Sequence, residues 1–572
     1  MTLSEAAIAA CEAYPSADVE LALAFAKEAV PSFLKADNDR LIKFGRSVKS
    51  MVNMKDDLGF NLEESLTLAV EESELLMSGK LKVPKVKFGK TGLDISVVTL
   101  GCMRFQQEWG PRITNMNMVD GDCQDNLMAI LKRALLEFGI NHIETARGYG
   151  SAELQLGVAL KQLIMTNQIK REDFILQTKV APMKDPADFR KTLEKSFEYL
   201  QVDYLDLFAF HGVNWPEQLI YMFGDDQTTE GTETCYSIIQ EYVKAGKIRH
   251  VGFSTHGSTD LILETVNKGV FDYANIHYHF MGSYTASGGG HDGQGNRDVV
   301  RLMNEKNMGV FIISPFDKGG SLFIPSRKLR RLTLPDLEPM AFESMRIWNH
   351  HHLFEDLNIH TYTAGAARPS DLDQSAVAAY LHDTQNDRMV QKLKRVSQRL
   401  LDEREKVLGK EWADTWWKGL SKADGNKHHV EHNQIMWFYN CLHSFGLYHF
   451  TKARYHSFEN NLKNWKDDLS DDENVKKLQP GWGFVPGLPL KPGVDYSGDF
   501  TNVPGENKQR VLEAEAFVLD WLATAANKTK VDPKDEHDAY KKAKTEAKVI
   551  PEDWQDAYDM RTWRDFPDRE IR

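Results

Sequence analysis

Apolar residues along this chain follow two different spacings, and the texture changes near Val83. Through residues 1–80 they recur at helical spacing, most regularly in Val19–Val30 and Leu62–Met77, with no strand-like alternation. This stretch reads as a helical cap on the main domain or as a regulatory or docking extension. Next, Val86–Ser96 has the pattern of a β-hairpin, with Gly89 to Gly92 making the turn. Short apolar runs then predict strands at Ser96–Leu100, His142–Thr145, Phe174–Lys179, Leu205–Phe210, Ile248–Phe253, Tyr273–His277, Gly309–Ser314 and Thr361–Ala364. Helical patterns such as Asp125–Phe138, Ala152–Leu163, Pro186–Leu200 and Glu233–Ala245 lie between them. Strands separated by helix-length crossovers predict an α/β fold, a parallel (β/α)8 TIM barrel rather than an open sheet.

Beyond Ser375 the pattern is of long, charged helices, including Asp387–Leu408. The most apolar long stretch, Gln434–Phe450, contains Asn440, His443 and His449 and is too short to span a bilayer comfortably, so it reads as one buried or amphipathic helix. The segment Gly481–Gly493 is extended or turn-like by composition, and Asn527–Arg572 is strongly charged, mobile or surface-helical. The expected organisation is a helical N-terminal extension (1–82), the barrel (83–382) and a helical and irregular C-terminal extension (383–572).

Length and composition agree with this division. A chain of 572 residues exceeds what one compact core usually serves. A net charge of −13 argues against a nucleic-acid or anionic-membrane partner, which needs a concentrated basic surface. Cys11, Cys102, Cys123, Cys235 and Cys441 are far apart and show no ligand spacing, so reduced thiols are expected. With no basic, apolar leader at the N-terminus, the expected location is cytoplasmic.

The chemistry gathers at the predicted strand ends. Asn141-His-Ile-Glu-Thr-Ala-Arg-Gly-Tyr-Gly150 puts Glu144 and Tyr149 just past one strand, and the next two strands end at Lys179 and His211. A tyrosine is a poor acid at neutral pH, but a neighbouring ammonium stabilises its phenolate. Glu144 would hold Lys179, and His211 would orient a carbonyl oxygen for protonation by Tyr149. Each residue alone has a plainer reading: a packed aromatic, a snorkelling lysine, a histidine beside a turn glycine. Four complementary residues in this order outweigh those readings together. No redox group is encoded, so hydride must come from a cofactor.

Further segments carry a family resemblance: Phe88-Gly-Lys-Thr-Gly-Leu93, Thr99-Leu-Gly-Cys-Met103, Glu144–Gly150, Gly246-Lys-Ile-Arg-His-Val-Gly-Phe-Ser254, Ser314-Pro-Phe-Asp-Lys-Gly-Gly320 and Gly365-Ala-Ala-Arg-Pro-Ser-Asp-Leu372. In this order they resemble the motifs of the aldo-keto reductases, over residues 85–380. The closest likeness is to a subgroup that writes E-T-A-R-G-Y-G, with a C-terminal extension in which Lys452-Ala-Arg-Tyr455 resembles a shared helix end. The resemblance implies nicotinamide-dependent reduction of a carbonyl or oxidation of an alcohol. It makes Tyr149 the proton donor, Lys179 its partner and His211 the orienting group. Ser254, Thr255 and Asn275 would lie near the nicotinamide carboxamide. Ser314, Pro315, Phe316, Lys318, Gly319 and Gly320 would approach the pyrophosphate, and Arg368 the adenosine end.

Departures from the family pattern matter here. Glu144 stands where an aspartate is usual, Ile313 where many members stack an aromatic, and Gly365 and Asp371 where many NADP-preferring members are basic. NADP(H) is the expected cofactor, with NAD(H) left open. Some relatives carry C-terminal iron–sulfur cysteines, but Cys441 stands alone, so no cluster is expected. The substrate would be a small carbonyl or alcohol. The rival readings are an NADP(H)-binding sensor or scaffold with little turnover, and an enzyme using the barrel for another carbonyl reaction.

Other motifs look less functional. Ser287–Gly295 is glycine-rich but lacks a phosphate-loop lysine, and reads as a flexible insertion or a lid. His350–His352 and the i, i+4 pair His428 and His432 have no recognised metal framework, and no metal is expected. Trp412, Trp416 and Trp417 read as packing the extension onto the barrel.

Overall fold

The computed structural model describes residues 1–108, 110, 112–225, 231–282, 296–316, 320, 322–353, 357–463, 465, 478, 486–523, 551 and 553–555. Helices Leu3–Ala13, Asp18–Ala29, Asn38–Asn53 and Leu62–Met77 open the chain. Thr2, Asp37 and Asn61 cap three of them, each accepting a bond from a first-turn amide. Their apolar faces meet in a core of their own around Phe25, Phe33, Phe44, Val48 and Leu66. Gly45 lets two of these helices touch, because a Cβ there would collide with the Asp18 carbonyl.

Strands β1 (Lys85–Lys87) and β2 (Asp94–Ser96) form the antiparallel hairpin. It delivers Phe88 and Ile95, fully buried, against Ile175, Leu207, Tyr273 and Phe311, so the hairpin plugs the N-terminal end of the barrel. The barrel strands are β3 (Val98–Gly101), β4 (His142–Glu144), β5 (Ile175–Val180), β6 (Leu205–Phe210), β7 (Ile248–Ser254), β8 (Tyr273–Ile276), β9 (Gly309–Ile312) and β10 (Thr361–Gly365). They close in the order β10-β3-β4-β5-β6-β7-β8-β9, every neighbouring pair parallel. This is a (β/α)8 barrel with helical extensions.

A polar layer crosses the barrel interior. Thr99 Oγ1 lies 2.7 Å from His142 Nδ1, and His142 Nε2 lies 3.1 Å from Gln177 Oε1. Gln177 Nε2 donates to Asn275 Oδ1 at 3.4 Å, and Thr361 meets Thr99 at 2.9 Å. All five side chains are fully buried, and these bonds pair their polar atoms apart from Asn275 Nδ2.

Two expectations need correcting. The stretch read as a single strand, Ser96–Leu100, divides at Val97: Ser96 pairs with Lys85 in the hairpin, while Val98 starts the barrel opposite Tyr362. The stretch Gln434–Phe450 forms parts of two helices, His432–Phe445 and Tyr448–Lys463. Gly446 takes φ +65 and ends the first, a left-handed cap that glycine adopts without strain.

The C-terminal helices are tied to the barrel by an indole hydrogen bond. Trp437 Nε1 donates to the Met281 carbonyl of the barrel at 2.7 Å, whereas Trp412 Nε1 donates to Asn440 Oδ1 at 2.7 Å and joins two helices of the extension to each other. No helix among the described residues is long and apolar enough to cross a membrane. The glycine-rich segment Ser287–Gly295 lies outside the described residues, as do residues 527–550 and 556–572 of the charged tail.

Candidate active site

The loop after β4 shapes the site. Its amides extend the sheet ladder: Thr145 N donates to the Gln177 carbonyl and Arg147 N to the Lys179 carbonyl, both at 2.9 Å. Arg147 then folds back onto buried Glu153 at 2.6 Å and onto the Gly150 carbonyl at 3.2 Å. Glu153 also accepts from Thr178 Oγ1 at 2.6 Å, which ties the loop to β5. Arg147 is therefore a structural brace inside the motif, and it fixes where Tyr149 sits.

Tyr149 and its neighbours converge at the C-terminal mouth. Lys179 Nζ contacts Glu144 Oε1 directly, and both side chains are buried. Lys179 also donates to the Thr145 carbonyl at 3.0 Å. Its ammonium lies 4.7 Å from the centre of the Tyr149 ring, and the Tyr149 hydroxyl lies 3.5 Å from Glu144 Oε1. His211 packs edge-on against Tyr149, with ring centres 5.5 Å apart. Gly148 passes beside it, and a Cβ there would touch the imidazole at 3.5 Å.

Burial sets the proton affinities in this cluster. It drives Lys179 well below the usual lysine range and pushes the Tyr149 phenol up. Arg104 opposes the shift of Tyr149 by its positive charge. Burial works against both charged forms, and at Lys179 the direct contact with Glu144 opposes it by favouring the ammonium.

These groups line a cavity of about 480 Å³, whose wall also includes Ser254, Ile313, Ser314, Pro315, Phe316 and Gly365. Ser314 has φ +52, a left-handed backbone unusual for a residue with a side chain and common at ligand-gripping turns. Ser254 Oγ accepts from the Gly212 amide at 3.1 Å, joining the ends of β6 and β7.

The remaining expected residues lie elsewhere. Thr255 turns its hydroxyl to the Val213 carbonyl at 2.6 Å. Asn275 belongs to the polar layer beneath the mouth. Gly320 sits against Leu447 and Met281. Asp371 accepts from the Ala367 and Arg368 amides at 2.9 and 3.2 Å, capping its own turn. Arg368 lies 3.8 Å from Asp39 of the N-terminal extension, whose carboxylate also accepts from the Ser370 amide at 2.7 Å. Lys318 and Gly319 lie outside the described residues.

Arg104, Asn214, Trp215 and His256 also line the mouth without having been singled out from the sequence. Asn214 and Trp215 follow His211 closely, and His256 follows Ser254, so reading on past each strand end would have found them. His256 starts a chain of imidazoles: its Nδ1 lies 2.6 Å from His277 Nε2, and His277 Nδ1 lies 2.9 Å from His279 Nε2.

The histidine motifs are tied down within the fold. His350 lies 2.6 Å from the Tyr278 hydroxyl. His428 and His432 lie 2.7 and 3.2 Å from Asp499, and His432 lies 2.8 Å from Glu515, forming a staple between distant segments. No group of metal-binding side chains occurs among the described residues.

A nicotinamide group fits the mouth in one testable respect. Buried Thr145 Oγ1, Thr363 Oγ1 and Asn275 Nδ2 have no hydrogen-bond partner. Such groups cost roughly 1–3 kcal/mol each when left unpaired, and of the three a polar ligand in the mouth would relieve Thr363, which lines the cavity.

A parallel eightfold barrel with a buried lysine–carboxylate contact under a tyrosine at its C-terminal mouth defines a barrel of enzyme type. Residues 97–331, from β3 through β9, match the Aldo/keto reductase family. The chain is 28% identical over 249 residues to L-galactose dehydrogenase of Arabidopsis thaliana, covering 42% of this chain and 67% of that protein. It is also 28% identical over 187 residues to an NAD(P)H-dependent D-xylose reductase of Scheffersomyces stipitis, covering 30% of this chain and 52% of that one. A solved aldo-keto reductase from Bacillus halodurans, AKR11C1 in its holo form, aligns with TM-score 0.39 and 20% identity, over 55% of this chain and 96% of its own.

Proposed function

We propose that this protein is a nicotinamide-dependent oxidoreductase that interconverts a small carbonyl compound and its alcohol, with Tyr149 as the proton donor. The observation that carries this reading is the buried contact of Lys179 with Glu144 directly beneath the Tyr149 ring. The family match and the names of the two relatives support the reaction class. A bound nicotinamide dinucleotide supplies the hydride, which no side chain here can provide.

The chain's own groups do the rest. His211, edge-on to Tyr149, donates to the substrate oxygen and fixes the carbonyl against the phenol. Tyr149 gives its proton to that oxygen as negative charge develops there. Lys179 then lies close enough to stabilise the phenolate, and Glu144 keeps a proton at Lys179. Trp215, Phe316 and Phe323 line the cavity and exclude water from the reacting atoms. Ser254 and Ser314 would hold the nicotinamide end, with Thr255 and Asn275 supporting that wall from behind. Pro315 and Phe316, with Lys318, Gly319 and Gly320, would follow the pyrophosphate. Gly365, Arg368 and Asp371 would serve the adenosine end, and the nearness of Asp39 to Arg368 keeps NAD(H) open beside NADP(H).

Titration of the protein with NADPH and with NADH, followed by cofactor consumption across a panel of aldehydes and ketones, tests this reading. Saturable binding with carbonyl-dependent consumption supports it. Binding with no consumption supports the sensor or scaffold reading, and no binding of either cofactor contradicts both.

A further inference from the structure

A second cavity, of about 660 Å³, lies between the barrel and the C-terminal extension and shares no lining residue with the mouth. Its size falls in the range of small-molecule sites, roughly 300–1,000 Å³. One wall is a single face of helix Asn386–Leu408, where Lys394, Ser397, Leu401, Arg404 and Leu408 recur at helical spacing. The opposite wall is aromatic: Trp416, Trp417 and Trp437 from the extension, and Phe280 and Phe445. Trp416 and Trp417 meet at right angles, with centres 5.9 Å apart, so they offer ring surface to the cavity. Of the three tryptophans expected to serve as packing, only Trp412 is absent from this wall.

The charges on this wall are unequal. Arg346 is already neutralised by Glu343, at 2.7 and 2.8 Å. The carboxylate of Asp414 is engaged by Lys410 at 3.2 Å. Lys394 and Arg404 form no ion pair among the described residues. The Nε of Arg404 is buried without a hydrogen-bond partner, as are the hydroxyls of Ser397 and Ser444, residues 8% and 1% exposed. Native interiors rarely leave such groups unpaired, and each costs roughly 1–3 kcal/mol. Two uncompensated cations and unpaired donors facing an aromatic wall call for a ligand with a negative head and an apolar body.

We propose that this seam cavity binds an amphipathic anion, its acidic head at Lys394, Arg404 and Ser397 and its apolar body against Trp416, Trp417 and Trp437. The site is separate from the mouth, and the proposal does not depend on the reaction carried out there.

Equilibrium titration of the full chain with 8-anilinonaphthalene-1-sulfonate tests it, alongside N-phenyl-1-naphthylamine, which has the same rings without the sulfonate. The expected result is one saturable site for the sulfonate, with the neutral compound at least tenfold weaker. Lys394→Met/Arg404→Met should weaken sulfonate binding at least tenfold while leaving the neutral compound unchanged. Lys394→Met alone, at an exposed position, should weaken it severalfold and serves if the double variant does not fold. Absence of a saturable site overturns the proposal. So does equal affinity for the neutral compound, or sulfonate binding unchanged in these variants, which would put the probe elsewhere.

Discussion

Glu144 reaches across from the end of β4 to the Nζ of Lys179 on β5, and both groups are shut away from water. The extra methylene of a glutamate at this position therefore still closes the contact under Tyr149. Removing one partner of a buried pair leaves the other uncompensated, at a cost of about 3–5 kcal/mol. Glu144→Gln is expected to lower the free energy of unfolding by about that amount, measured by urea denaturation at neutral pH. A variant as stable as the parent would mean that the pair contributes nothing.

The polar layer beneath the mouth predicts an acid-sensitive barrel. Burial depresses His142 to about 3, with a bond to Gln177 opposing the shift and the Lys179 charge adding to it. The unfolded histidine titrates near 6.5. Between those values only the unfolded chain takes up the proton, so the stability from a neutral His142 is complete above 6.5 and is lost as pH falls. From pH 7 to pH 5 this amounts to about 2 kcal/mol. His142→Gln should show a correspondingly smaller drop over that interval. His360, held near 4 by burial, has the same sign in both proteins and cancels in the comparison.

Asp373 holds the N-terminal helices to the barrel. It accepts from Arg40 Nε at 2.9 Å and from Arg133 Nη1 at 2.8 Å, and both arginines are buried. Asp373→Ala removes the carboxylate shared by both arginines, while Arg40 keeps Glu137 and Arg133 keeps Asp37 and Glu137, so the expected cost is about 1.5–3 kcal/mol. Limited trypsin digestion should then release the first 80 or so residues much faster than in the parent protein. Equal digestion rates would show that other contacts hold the extension.

The imidazole chain behind His256 makes a kinetic prediction. His277→Leu removes the partners of His256 Nδ1 and His279 Nε2, the first a hydrogen bond at the mouth worth about 1 kcal/mol, and leaves Tyr149 in place. We expect KM for the carbonyl to rise roughly fivefold with kcat little changed, because His256, on the cavity wall, would contact substrate without donating the proton. A large loss in kcat with KM unchanged would assign the chain to proton transfer instead.

Much of the barrel was legible because each strand is a short apolar run bounded by polar residues. Helix Pro186–Leu200 matches at both ends, since Asp185 caps it, Pro186 suits its first turn and Gln201 leaves in the left-handed region. Reading failed where two elements share one apolar run, as at Val97, or where one glycine divides a run, as at Gly446. Glu144, Tyr149, Lys179 and His211 were legible because strand ends in a closed barrel converge. His256, Arg104 and Trp215 become legible only by following the chain two to five residues past the strand ends. The pairing of Asp39 with Arg368 spans more than three hundred residues, and no local pattern encodes it.

The central claim is that Tyr149 is the proton donor of a working reductase. Turnover of a carbonyl panel by the parent protein and by Tyr149→Phe, with NADPH affinity measured for both, tests it most directly. The account predicts carbonyl-dependent NADPH oxidation that falls by about 100-fold or more in Tyr149→Phe, with NADPH affinity within about twofold of the parent. Turnover that survives the substitution, or a parent protein that binds NADPH and oxidises it with no carbonyl, would contradict it.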